Sequence, residues 1–140
     1  MTDELAMEEA VVAANDRFYR AFESLDIKEM EEVWSTDGSV QCIHPGWGLL
    51  SGWADVRDSW VRIFNNTSAM SFTPHVLHVS VEGTIAWVVC LEDIDTRHGD
   101  QEHNSQVLAT NVFKRVDDRW LLVHHHTSPI FRATESEGNE

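Results

Sequence analysis

The chain has 140 residues, 42% of them hydrophobic, enough to bury one core in one domain. With 24 acidic against 10 basic residues the formal charge is -14, and only Lys28 and Lys114 are lysines, which argues against general nucleic-acid binding and against an anionic membrane surface. No run reaches the roughly 18 apolar residues of a spanning helix, and the acidic start Met1–Leu5 is unlike a secretory leader, so a cytoplasmic protein is expected.

Residues 4–25 read as an amphipathic helix. Leu5, Met7, Val11, Ala14, Phe18, Ala21, Phe22 and Leu25 recur near a 3.6-residue period, with acids on the other side. Asp26 stands three residues before Glu29, a capping-box spacing, and opens a short helix over 27–34 with Ile27, Met30, Val33 and Trp34 on one face. Thr36-Asp37-Gly38 is a turn and Ser39–Ile43 a short strand. Pro45-Gly46-Trp47-Gly48 is a loop. Ser51 is the expected cap of a helix over 53–65, whose stripe is Trp53, Val56, Trp60, Ile63 and Phe64.

After residue 70 the period changes to two. Strands are expected over 71–82, 84–97, 103–117 and 119–127. The tight links Glu82-Gly83, Arg97–Asp100 and Asp117-Asp118 favour antiparallel hairpins. Such long strands must bend. Helices segregated on one face of an antiparallel sheet make an α+β domain, here expected over 1–131, with a polar, disordered tail over 132–140.

Four groups of residues resemble the nuclear-transport-factor-2-like superfamily, in its SnoaL-like and ketosteroid-isomerase-like branches. They are Phe18 and Phe22 in the first helix; Cys42-Ile43-His44-Pro45-Gly46; Gly52-Trp53 with Asp58-Ser59-Trp60; and Trp120 to Ser128. The resemblance spans about residues 8 to 129. It implies a conical fold, three helices packed on a strongly curved sheet, with a pocket between them and a homodimer formed through the sheet. It also implies function only loosely, because relatives include isomerases, cyclases, dehydratases and association domains. In the isomerase branch a helix tyrosine and a strand acid form the oxyanion hole, and a carboxylate near the first strand is the base. Tyr19, the only tyrosine, lies in that helix, with Phe18 and Phe22 as competitors for the inward position. The first-strand region offers Gln41 and His44 in place of the carboxylate, and the later strands offer Asn104 or Asn111.

His44 ends an apolar strand before a Pro-Gly turn, and an imidazole with an ordinary pKa near 6.5 suits proton transfer. His124 and His126 share a strand face. Strict alternation from Trp120 and Leu122 aims both at the interior or the solvent beyond it, and turns His125 away with Leu121 and Val123. These three histidines, His44, His124 and His126, are the candidate acid–base groups. Tyr19, Trp47, Trp60, Asn111 and Glu92 are the candidate ligand-binding residues; alternation alone does not say whether Glu92 or Asp93 faces inward. His124 and His126, two residues apart on one strand, are part of a three-ligand zinc set that His44, Asp93 or Glu92 would complete. There is no HExxH and no cysteine cluster, so neither a metal nor another cofactor is expected. Cys42 and Cys90 read as buried thiols. The partner expected is a small hydrophobic or aromatic molecule. Either it undergoes isomerisation, cyclisation or dehydration, or it is held unchanged by a binding or association module.

Overall fold

A computed structural model describes residues 2–130. The expected tail over 132–140 lies outside the described residues. The elements run α1 (Thr2–Ser24), α2 (Ile27–Val33), β1 (Gln41–Ile43), β2 (Leu50–Ser51), α3 (Trp53–Asn65), β3 (Ala69–Glu82), β4 (Ile85–His98), β5 (Gln101–Val116) and β6 (Arg119–Pro129). The apolar stripe of α1 is buried from Val11 onward: Val11, Ala14, Phe18, Ala21 and Phe22 all face the core, joined by Tyr19 and Asn15, while Leu5 at the start of the expected stripe is 59% exposed. Asp26 caps α2 as expected, its carboxylate accepting from the Lys28 amide at 2.9 Å. Ser51 does not cap α3. It lies in β2 opposite Gln41, and Gly52 takes the N-cap position with φ 87°, a left-handed conformation that favours glycine.

The sheet has six strands in the order β2-β1-β6-β5-β4-β3 and is not closed. β3 to β6 form the antiparallel meander that the tight links require. The sheet is nonetheless mixed, because β1 runs parallel to β6, pairing Gln41, Cys42 and Ile43 with His124, His125 and His126. That pairing lies between strands distant in sequence, so no hairpin signal announces it. The helices cover one face of the curved sheet, and Phe18, Phe22, Trp34, Trp60, Phe64 and Phe72 fill the space between.

Two β-bulges bend the meander. One extra residue, Leu77, interrupts β3 between Val76 and His78. The other is Val123: Val112 pairs with His124 and Phe113 with Leu122, so Val123 has no opposite residue. A bulge adds one residue to one strand and reverses the facing of everything after it. Trp120 and Leu122 face the core, and so do His125 and Thr127, while His126 is exposed and His124 half-exposed. The expectation that His124 and His126 continue the inward face is therefore corrected. They stand on the outer face, and His125, 1% exposed, is the strand's inward histidine.

Candidate active site

The interior meets its polar residues where β1, β4, β5 and β6 face α1 and α3. Inward alternation along β1 buries Cys42 and then His44, and the register Cys42 to His125 sets the two imidazoles side by side, ring centres 6.4 Å apart. On β4 the inward series Ala86, Val88, Cys90 continues to Glu92, which resolves the choice against Asp93. On β5 Asn111 lies between Ala109 and Phe113, opposite His125.

Glu92, Tyr19, Asn111, Asn15 and His125 form one hydrogen-bonded chain, and His44 stands beside it in ring contact with His125. Tyr19 donates its hydroxyl proton to Glu92 Oε2 at 2.5 Å. Asn111 Nδ2 donates to Tyr19 Oη at 3.1 Å and to Asn15 Oδ1 at 2.9 Å. Both amide protons being used, Asn111 Oδ1 faces His125 Nδ1 at 2.5 Å as an acceptor. His125 must therefore carry its proton on Nδ1, which leaves Nε2 as its basic nitrogen.

The same logic fixes His44. Ser59 donates its one hydroxyl proton to the Val56 carbonyl at 2.6 Å, the back-bond expected of a serine inside a helix. Its oxygen can then only accept from His44 Nε2, 2.9 Å away. His44 is held as the Nε2–H tautomer, with Nδ1 as the unprotonated nitrogen. Cys42 Sγ lies 3.6 Å from Nε2 and 3.9 Å from Nδ1, the ring nitrogen able to accept from its thiol. Trp47 and Trp60 stand edge-on to the imidazole at 4.8 and 4.7 Å, and Arg62 sits over the Trp47 ring. A turn closed by Trp47 N to His44 O at 2.9 Å, with Gly46 at φ 82°, holds the loop in place.

Burial sets the protonation states, because a low-polarity interior disfavours charge. It lowers His44 to about 4 and His125 well below its ordinary value, where the neighbouring histidines act in the same direction. Both are neutral bases at neutral pH. Burial raises Glu92 to about 7, against the opposing hydrogen bond from Tyr19, so this carboxyl titrates near neutrality. Burial also raises Tyr19 well above 10 and Cys90 to about 11, and it pushes Cys42 up further.

Of the residues expected from sequence, His44, Tyr19, Trp60, Asn111 and Glu92 are brought together, and the half-buried Trp47 borders them. His124 and His126 are not; they lie across the sheet, where His124 Nδ1 meets Gln41 Oε1 at 3.0 Å. A zinc set joining them to His44 or Glu92 is excluded by the sheet between. Asn104 is on the outer face too, donating to Asp93 and Asp95. His125, Ser59 and Asn15 were missed. Asn15 had a legible signal, an amide at the inward spacing Val11, Asn15, Phe18, Phe22. His125 had none, because a bulge has no sequence period. The expected open pocket is not what this interior shows, since aromatic and polar side chains occupy it. Clefts of about 470 and 610 Å³ open elsewhere, one at the β4–β5 hairpin end around Arg97 and His103, the other around Asp37 and Arg119.

Three helices on a curved sheet, with a polar chain walled by aromatic rings, define a protein of the nuclear-transport-factor-2-like superfamily. Within it, residues 11–132 match the SnoaL-like domain, and the chain belongs to that family. Among solved structures it is similar to a proposed dehydratase of the NTF2-like family from Streptomyces avermitilis, 39% identical over 91% of this chain and 98% of that one, with a TM-score of 0.85. It is also similar to a proposed calcium/calmodulin-dependent protein kinase type II association domain from Thiobacillus denitrificans, 33% identical over 85% and 94% of the two chains, TM-score 0.74. The F-box protein SKIP8 of Arabidopsis thaliana is 29% identical over 119 residues; these are 85% of this chain, which spans 49% of that relative's length. No helix of the described residues is long and apolar enough to cross a membrane.

Proposed function

We propose that the protein is a general-base enzyme that moves a proton on a small cyclic or aromatic molecule, in an isomerisation, cyclisation or dehydration, with His44 as the base. The observation that carries this reading is the locked, neutral His44: Ser59 holds Nε2–H and leaves Nδ1 to take a proton inside a wall of Trp47 and Trp60. A buried polar group is retained against a desolvation cost, and groups with shifted pKa values collect at functional sites. Glu92, Tyr19 and Asn111 position the second imidazole, His125. The likeness to a proposed dehydratase adds weight.

A test uses indanone, an aromatic cyclic ketone with exchangeable protons beside its carbonyl. In heavy water the protein should speed deuterium uptake at that carbon, and a folded His44→Ala variant should not. Uptake no faster than in buffer, or unchanged in the variant, would sink the reading.

A second reading has its own observation. The outer face of the sheet carries Trp87, Val89, Leu91, Leu108, Val112 and Leu121, with Leu108 39% exposed. This apolar face supports a homodimer through the sheet, and the likeness to an association domain fits a module that assembles without catalysis.

A further inference from the structure

The extra residue Val123 leaves two imidazoles side by side on the outer face of the sheet. His124 and His126 alternate onto that face of β6, with ring centres 6.1 Å apart. A small rotation about their side-chain bonds puts one nitrogen of each at the roughly 2 Å that a single zinc ion takes from imidazole. His124 is already oriented for this. Its Nδ1 donates to Gln41 Oε1 at 3.0 Å, which fixes the tautomer and leaves Nε2 unprotonated. A hydrogen bond from the remote ring nitrogen to a carbonyl oxygen is the usual support of a metal-binding histidine. The lateral neighbours are uncharged: His124 lies between Gln41 and Val112, and His126 between Ile43 and Thr110. Val112 and, beyond it, Trp87 belong to the apolar outer face described above. The other close pair of rings, His98 and His103, lies at the β4–β5 hairpin end beside Arg97.

Among the described residues no group of three or more histidines, cysteines or carboxylates could hold a metal. One chain therefore brings two ligands, whereas a structural zinc takes four. A two-fold interface sets the same surface patch of each subunit against the other, so a second chain packed through this face supplies the missing pair.

We infer that His124 and His126 are one half of a zinc site that a second copy of this chain completes, with four imidazoles around one ion at the two-fold axis of a dimer packed through the outer face of the sheet. The inference rests on the homodimer reading and is independent of the general-base chemistry. Four neutral nitrogen donors favour zinc over the hard cations calcium and magnesium. The ion binds the assembled pair and not the single chain, so it tightens the dimer by mass action. Because each chain holds only half of the set, no complete ligand pattern is present in its sequence.

In the test, untagged protein stripped of metal by a chelator is titrated with zinc chloride in a calorimeter, and its mass is followed by light scattering over a dilution series. One zinc should bind per two chains. With zinc at about ten times its dissociation constant, the protein concentration at which the dimer falls apart should drop about tenfold. His124→Ala and His126→Ala, each removing two of the four ligands, should bind no zinc and lose that shift while keeping the metal-free mass. Gln41→Ala, which frees the His124 ring, should weaken zinc binding about tenfold. His103→Ala should match the wild type. One zinc per chain, zinc held as tightly by His124→Ala, or a dimer equally strong with and without zinc overturns the inference; the last result leaves the homodimer reading standing. A chain that is monomeric without zinc and dimerises with it through His124 and His126 keeps the inference and defeats association by the apolar face alone. The mass of one chain under both conditions overturns both.

Discussion

Replacing Glu92 by glutamine tests the buried chain without knowledge of any substrate. Glu92 is 2% exposed, and burial raises its pKa from 4.5 to about 7. Between those values the folded protein keeps a proton that the unfolded chain has lost. Folded stability therefore falls as pH rises across that window, by roughly 3 kcal/mol for this one group. A glutamine side chain at this position has the same shape, can still accept from Tyr19, and does not titrate. His44 and His125 act in the opposite sense, since their lowered values make stability fall as pH drops below 6.5, but they do so in both proteins and cancel in the difference. Thermal melts of wild type and Glu92→Gln at intervals from pH 4.5 to 8.5 should show the variant gaining on the wild type as pH rises, by roughly 10 °C overall for a chain of this length. A difference that stays level with pH, within about 0.5 kcal/mol, would mean that Glu92 is not held protonated by burial and would refute the reasoning.

Three further outcomes are expected. Deuterium uptake by indanone should stay level from pH 8 to 5 as far as His44 is concerned and fall as pH approaches about 4; a midpoint near 6.5 would show an imidazole in water. Deletion of Val123 removes the extra residue and makes alternation strict with Leu122, His125 and Thr127 still inward and His124 and His126 outward, so the shortened strand should keep a cooperative, native-like unfolding followed by circular dichroism. Loss of cooperative unfolding in that variant would show that Val123 is not simply an extra residue in the register. Leu108→Glu, on the outer face, should halve the solution mass measured by light scattering if the sheet forms the proposed homodimer, and an unchanged dimer mass would remove that surface from the interface.

The apolar periods of residues 4–25, 27–34 and 53–65, and the alternation after residue 70, were legible because each depends on neighbours within one element. So was the candidacy of His44, Tyr19, Trp60, Glu92 and Asn111, chemistry-bearing residues set in apolar runs. What sequence could not hold was decided between elements. The parallel pairing of β1 with β6 brings Cys42 beside His125 across more than half the chain. The unpaired Val123 reverses the histidine face, a one-residue shift that leaves composition and period almost untouched yet exchanges inside for outside. Tautomers, too, are fixed by partners on other elements. Val56, packed in α3, takes the Ser59 proton and so decides which nitrogen of His44 is basic. Alternation is a local property of one strand; facing, register and proton placement depend on what packs against it, and those belong to the tertiary structure alone.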